Sequence, residues 1–76
     1  MEISARNQLA GRVSSVTLGS DMAQVVVDVG GQEIVAAITR SSAERLGLSE
    51  GSEVTAILRA TDVLIATGPD TDRVSG

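Results

Sequence analysis

The start of the sequence concentrates hydrogen-bond donors in the run Ser4-Ala5-Arg6-Asn7. A hydroxyl, a guanidinium, an amide and the backbone N–H groups between them follow one another directly. A guanidinium is always charged, and its planar fork suits oxyanions. The run is therefore a candidate anion-binding segment, although an N-terminal arm with an ordinary surface arginine has the same pattern.

A second group of donors, Thr39-Arg40-Ser41-Ser42, precedes a short predicted helix. The first backbone N–H groups of a helix have no acceptor within it, and its dipole favours an anion there. Ser41 and Glu44 have capping-box spacing, which predicts Ser41 as the N-cap and leaves Thr39 and Ser42 available to a ligand. Capping alone would also explain these hydroxyls.

The remaining charged candidate is Arg59, late in a predicted strand and on the same face as Thr55 and Ile57. It lies either at a barrel edge or interface, or on the surface with its stem along apolar side chains. The acidic residues lack the spacing of a calcium loop, so we expect a solvated surface for them. Six of the ten acidic residues are scattered through predicted turns and strands: Asp21, Asp28, Glu33, Glu50, Glu53 and Asp62.

The composition excludes several kinds of chemistry. The chain has no Cys, His, Lys or aromatic residue and a net charge of −4. Thiolate and imidazole metal sites, disulfides and Cys-His, Ser-His-Asp or Ser-Lys catalysis are therefore excluded, and we predict no enzyme activity and no cofactor. Acidity and the lack of stacking side chains argue against nucleic-acid binding. Hydroxyls, amides and arginines suit an intact oxyanion, such as sulfate, phosphate, molybdate or tungstate, and not a bare metal cation.

The apolar pattern predicts strands over 9–18, 22–29, 32–39, 53–60 and 63–66 and a helix in SAERLGL. Gly30-Gly31 indicates a tight hairpin turn, because a type I′ turn needs two positive φ angles. This order is typical of a mainly β fold, a small five-stranded OB-like Greek-key barrel with one short helix. We expect one domain over 1–67 and a flexible polar tail over 68–76.

Two features predict a homo-oligomer. A domain of 76 residues without disulfides or aromatics has little core of its own. In addition, Val26, Val35 and Ala37 make the central hairpin apolar on both faces, although small exposed apolar side chains are common. The sequence has neither a membrane-spanning apolar run nor a signal-peptide pattern, so we expect no membrane partner and a cytoplasmic location.

The motifs SARNQLAGRV and VVVDVGGQEIVAAITRSSAERLGLSEGSEVTAILRATDVLIA resemble the molbindin family, also called Mop domains and related to TOBE domains. The resemblance covers about Ile3 to Ala66. It implies a cytoplasmic protein for molybdenum storage and homeostasis that binds molybdate or tungstate reversibly. It also implies a hexamer, a trimer of dimers, with anions held between subunits.

The same resemblance implies the binding residues. SARN places them at Ser4 and Arg6, with the backbone N–H of Ala5. The resemblance also places binding residues at Thr39, the threonine of AIT, and at Ser42, three residues later. It places two more, Arg59 and Ala60, at the end of the fourth strand. The family usually has Lys at position 59, so pocket size or anion preference could differ. Asp21 adds negative charge to the turn from Gly19 to Met22, and we therefore do not expect the family's second class of anion site there.

Two alternatives remain open. ITRSSAERLGLSEGSEVTAIL also resembles the AbrB-type DNA-binding proteins, which would be more basic and would not need SARNQL. A subunit that binds other proteins and no ligand would keep the same fold. The absence of a P-loop argues against a transport ATPase.

Overall fold

The computed structural model describes residues 6–68 and the backbone of residues 74–75. It is mainly β with one short helix, as predicted. The strands are β1 (Arg6–Leu18), β2 (Met22–Val29), β3 (Gln32–Thr39), β4 (Glu53–Arg59), β5 (Ile65–Ala66) and β6 (Val74–Ser75). The helix is α1 (Arg40–Leu46), and a 3₁₀ turn spans Ala60–Asp62.

The first four strands form an antiparallel sheet in the order β3-β2-β1-β4. β1 is long enough to serve two neighbours: its first half pairs with β4 and its second half with β2, and Arg12 is in register with both. Gly11 lies beside this change of partner, where a Cβ atom would stand 2.6 Å from the Asp28 carbonyl oxygen. Only glycine lets the two backbones approach so closely.

The β2–β3 hairpin follows the sequence prediction residue for residue. Gly30 and Gly31 form its turn with φ angles of 58° and 90°, which L side chains rarely adopt. Because the turn fixes the register, Val26 lies opposite Val35. Both side chains are apolar and lie on the outer face of the hairpin, where Val35 is 62% exposed within one chain.

The helix begins earlier than predicted. Thr39, and not Ser41, is the N-cap, since its side chain accepts a hydrogen bond from the Ser42 backbone N–H. Glu44 makes no capping box, because its carboxylate pairs with Arg40 at 3.1 Å. Gly47 ends the helix with a φ of 65°, as its sequence position suggests.

The C-terminal part differs from the expected fifth strand over 63–66. A 3₁₀ turn at Ala60–Asp62 ends β4, and only Ile65–Ala66 is extended in β5. β5 pairs with β6 and not with the four-stranded sheet. β6 lies within the segment 68–76, which was predicted as a flexible tail. The sheet is therefore open between β3 and β4 within one chain.

The core is small and lies under β2. Val13, Val25 and Val27 are almost completely buried, with half-buried side chains such as Ile38 and Val54 around them. At the opening between β3 and β4, an apolar groove of about 550 Å³ exposes the inner sheet face. Its lining includes Ile34, Ala36, Ile38, Leu48, Val54 and Leu58.

Arg40 joins the β1–β2 turn to the helix. Its backbone N–H donates to the Asp21 carbonyl at 2.8 Å, and its Nη1 donates to the Gly19 carbonyl at 3.0 Å. The turn itself is closed by a bond from the Gly19 N–H to the Met22 carbonyl, 2.7 Å long. In the described part of the chain, no helix has the length and apolarity that crossing a membrane requires.

Candidate functional site

Two arginines lie directly opposite each other where β1 begins and β4 ends. Arg6 and Arg59 are register partners in this antiparallel pair. We call them the strand-end pair. Like charges in directly opposite positions repel and destabilise a sheet. An anion between the two guanidinium groups would remove this repulsion.

Arg59 already has a carboxylate beside it. Its Nε donates to Asp62 Oδ2 at 2.9 Å, and its Nη2 lies 3.5 Å from Asp62 Oδ1. The 3₁₀ turn creates this contact, because residues three apart lie on the same side of such a turn. The sequence prediction grouped Asp62 with the scattered surface acids. The spacing Arg-x-x-Asp after a strand was the available signal.

Ala60 is the first residue of the 3₁₀ turn and is exposed beside Arg59. Backbone N–H groups at the start of a helical turn lack acceptors within it, so this position suits an anion contact. Ser4 and Ala5, which were predicted to contribute a hydroxyl and a backbone N–H, lie outside the described residues. Among the described side chains, Arg6 has no carboxylate partner.

The second group consists of Thr39, Ser41 and Ser42, which we call the helix-start hydroxyls. Thr39 Oγ1 accepts from the Ser42 N–H at 3.2 Å and donates to Ser42 Oγ at 2.8 Å. Ser41 Oγ lies 3.4 Å from Thr39 Oγ1. Because Ser42 Oγ accepts from Thr39, its own hydrogen is directed elsewhere and can reach a ligand.

Arg40 belongs to neither group, although it lies between Thr39 and Ser41 in sequence. Its guanidinium is engaged by Glu44 and by the Gly19 carbonyl. The Gly19 to Met22 turn therefore receives positive charge from Arg40 as well as the negative charge of Asp21. The expected lack of a second anion site at this turn stays a prediction.

The strand-end pair and the helix-start hydroxyls lie at opposite ends of β1. Arg6 is its first residue, whereas Leu18, its last, pairs with Ala23, next to the Met22–Thr39 pair. Within residues 6–68, no hydrogen bond or salt bridge connects the two groups. One chain therefore presents two incomplete sets of donors.

The described residues offer no cluster of ligands for a bare cation. No group of three or more acidic side chains in the described residues could hold a metal ion. The donors that the fold does assemble are guanidinium, hydroxyl and backbone N–H groups. This set recognises oxygen atoms that carry negative charge.

Comparison with solved structures shows the same fold in two proteins. MopII from Clostridium pasteurianum superimposes with a TM-score of 0.78 at 45% identity, over 87% of this chain and all of that one. A molybdate-binding protein from Sporomusa ovata gives a TM-score of 0.79 at 42% identity, over 88% of this chain and all of that one. The chain therefore has their OB-like fold.

Curated sequences give the same relationship. Molybdenum-pterin-binding protein 1 of Clostridium pasteurianum is 47% identical over 86% of this chain and 97% of its own length. A probable molybdenum-pterin-binding protein of Haemophilus influenzae is 41% identical over 86% of this chain and 96% of its own length. The TOBE domain model matches residues 3–65. The chain therefore belongs to the TOBE domain family and is related to the Mop proteins.

Proposed function

We propose that this protein binds molybdate or tungstate reversibly and serves in molybdenum storage and homeostasis in the cytoplasm. The observation that carries this proposal is the strand-end pair. A chain with a net charge of −4 places Arg6 directly opposite Arg59, an arrangement of like charges that an anion between them would stabilise. Local positive charge can attract an anion even when the whole protein is acidic.

The helix-start hydroxyls supply the complementary half of the proposed site. Ser42 has a hydroxyl hydrogen directed away from Thr39, and it would donate to an oxygen of the anion. Ser4, the Ala5 N–H and the Ala60 N–H would add further neutral donors. Hydrogen bonds to an intact oxyanion form and break without covalent chemistry, so we infer reversible binding and no catalysis.

Binding between subunits would bring the two halves together. They lie at opposite ends of β1 in one chain, and a neighbouring copy can place one half beside the other. Assembly is supported by the groove between β3 and β4 and by apolar side chains that one chain leaves uncovered. Leu46, Leu64 and Ile65 are each more than 60% exposed. A hexamer built as a trimer of dimers would bury these surfaces.

The identity of the anion is supported by the relatives. The Sporomusa ovata protein is described as molybdate-binding, and the Clostridium pasteurianum protein as molybdenum-pterin-binding. This chain has no aromatic side chain on which a pterin ring could stack. The donor set therefore favours the free tetrahedral oxyanion as the ligand.

Native mass spectrometry of the purified protein, with molybdate, tungstate or an equal concentration of sulfate, tests the proposal. We expect a hexamer that gains several molybdate or tungstate ions and no sulfate. A monomer or dimer that gains no oxyanion would contradict storage. It would favour a subunit that binds other proteins, or the DNA-binding alternative if the chain shifts a DNA duplex.

A further inference from the structure

Asp62 lies where it can compete with an anion for Arg59. The carboxylate takes the Nε side of the guanidinium, with Nε to Oδ2 at 2.9 Å and Nη2 to Oδ1 at 3.5 Å. Those N–H groups would otherwise be available to an oxyanion placed between Arg59 and its register partner Arg6. The chain therefore supplies a negatively charged group of its own at this position.

The charges of the strand-end pair show what this contact does. Arg6 and Arg59 together carry two positive charges, which match one doubly charged tetrahedral anion. With Asp62 in place, the three side chains carry only one net positive charge. Asp62 therefore neutralises part of the attraction before any ligand arrives, and it repels a dianion that approaches.

The contact is weak enough to be displaced. The Arg59 and Asp62 side chains are 69% and 52% exposed, and ion pairs in water contribute little free energy. The pair is also local, since it spans a single 3₁₀ turn, and releasing it disturbs no other described hydrogen bond of either side chain. An oxyanion that meets both arginines can replace the carboxylate.

Resting on the proposed function, we infer that Asp62 is an internal counter-charge that competes with the oxyanion for Arg59 and lowers the affinity of the site. Its role would be to keep the bound anion releasable. The carboxylate leaves Arg59 when the anion binds and returns when the anion departs. A reversible store benefits from this competition, because the site empties at a higher free concentration of the anion.

Isothermal titration calorimetry of molybdate into the assembled Asp62→Asn variant tests this inference. Asn has the same shape without the charge. We expect molybdate to bind about two- to fivefold more tightly than to the unchanged protein, since an exposed ion pair accounts for less than a tenfold change in equilibrium constant. Asp62→Ser is the second variant if Asn disturbs the turn, with the same expected increase.

Glu50→Gln is the matched control. It removes the same charge from an exposed turn near the opposite end of β4, and we expect it to leave the affinity unchanged. Unchanged or weaker binding by both Asp62 variants would overturn the inference, while binding by the unchanged protein would keep the proposed function. If neither the unchanged protein nor any variant binds molybdate, the proposed function itself fails. An equal increase in Glu50→Gln would assign the effect to net charge and would also overturn the inference.

Discussion

The strand-end pair and the helix-start hydroxyls are held in place in different ways within one chain. Thr39 caps α1 and donates a hydrogen bond to Ser42 Oγ, so the positions of both hydroxyls follow from the start of the helix. Arg6 and Arg59 instead carry like charges at directly opposite positions, and Arg59 is paired with the exposed carboxylate of Asp62. The hydroxyls are therefore preorganised and neutral, whereas the arginines are charged and adaptable.

This difference separates two tasks that a binding site must perform. Charged arginines supply most of the attraction for an anion, because hydrogen bonds to charged groups are the strong ones. Preorganised hydroxyls add donors whose positions cost little further ordering. Changes at the two places should therefore have different effects on affinity and on stability.

The largest expected effect comes from breaking the assembly that would bring the two places together. Leu64→Asp puts a charge on a side chain that is 63% exposed in one chain and would be covered in the oligomer. Burying that charge is unfavourable by several kcal/mol, so we expect native mass spectrometry to show dissociation and molybdate binding to be lost. Gln32→Glu, which adds one negative charge at the hairpin tip, should stay assembled. A Leu64→Asp hexamer would disprove the role of this surface.

Arg6→Ala removes one charge of the strand-end pair and should have the second-largest effect on molybdate binding. We expect molybdate affinity to fall about 10- to 100-fold, since a hydrogen bond to a charged group contributes about 1.5–3 kcal/mol. The native mass should remain that of the assembly, because Arg6 has no described salt bridge. Arg45→Ala, an exposed arginine in the last turn of α1, is the control in calorimetry. Equal losses in both variants would indicate a general charge effect.

Thr39→Ala should affect stability and affinity together. Loss of the N-cap destabilises the helix by about 1 kcal/mol, and the Ser42 hydroxyl loses its neighbour, so we expect a lower thermal midpoint and about threefold weaker molybdate binding. Thr39→Ser keeps the oxygen that accepts from the Ser42 N–H and should restore both properties. If Thr39→Ala binds normally, Thr39 has only a capping role.

The smallest effect is expected for Arg59→Lys. This variant introduces the residue that the family resemblance implies at position 59. The positive charge remains, but the planar fork that contacts Asp62 at two atoms is lost. We expect molybdate affinity within about threefold of the unchanged protein, because the lost contact with Asp62 is an exposed pair. Calorimetry of molybdate binding to Arg59→Lys and to Arg59→Ala checks this, since Arg59→Ala should bind far more weakly. Equal binding by Lys and Ala would show that position 59 does not contact the anion.

The parts that sequence predicted well are those set by neighbouring residues. The bounds of β2 and β3 follow from β-branched runs around Gly30-Gly31, whose positive φ angles fix the hairpin. The prediction of Ser41 as the N-cap was wrong, because Thr39 and Ser41 are both residue types that cap helices well. Glu44 could reach either the backbone or Arg40, and only the folded position of Arg40 decides between them.

The candidate site was predicted as residue types but not as an arrangement. The register that sets Arg6 opposite Arg59 joins strands far apart in sequence, and no local pattern specifies it. The apolar residues of β5 predicted a strand but not its partner, which is β6 and not a strand of the four-stranded sheet.

The bonds from Arg40 have a consequence for local motion. They attach the Gly19 to Met22 turn to the first residue of α1, at both the backbone and the guanidinium. Neighbouring segments connected in this way open cooperatively in hydrogen exchange. The amides of Gly19 and Arg40 should therefore show one common free energy of opening, and the Thr39 cap should open only when the turn does.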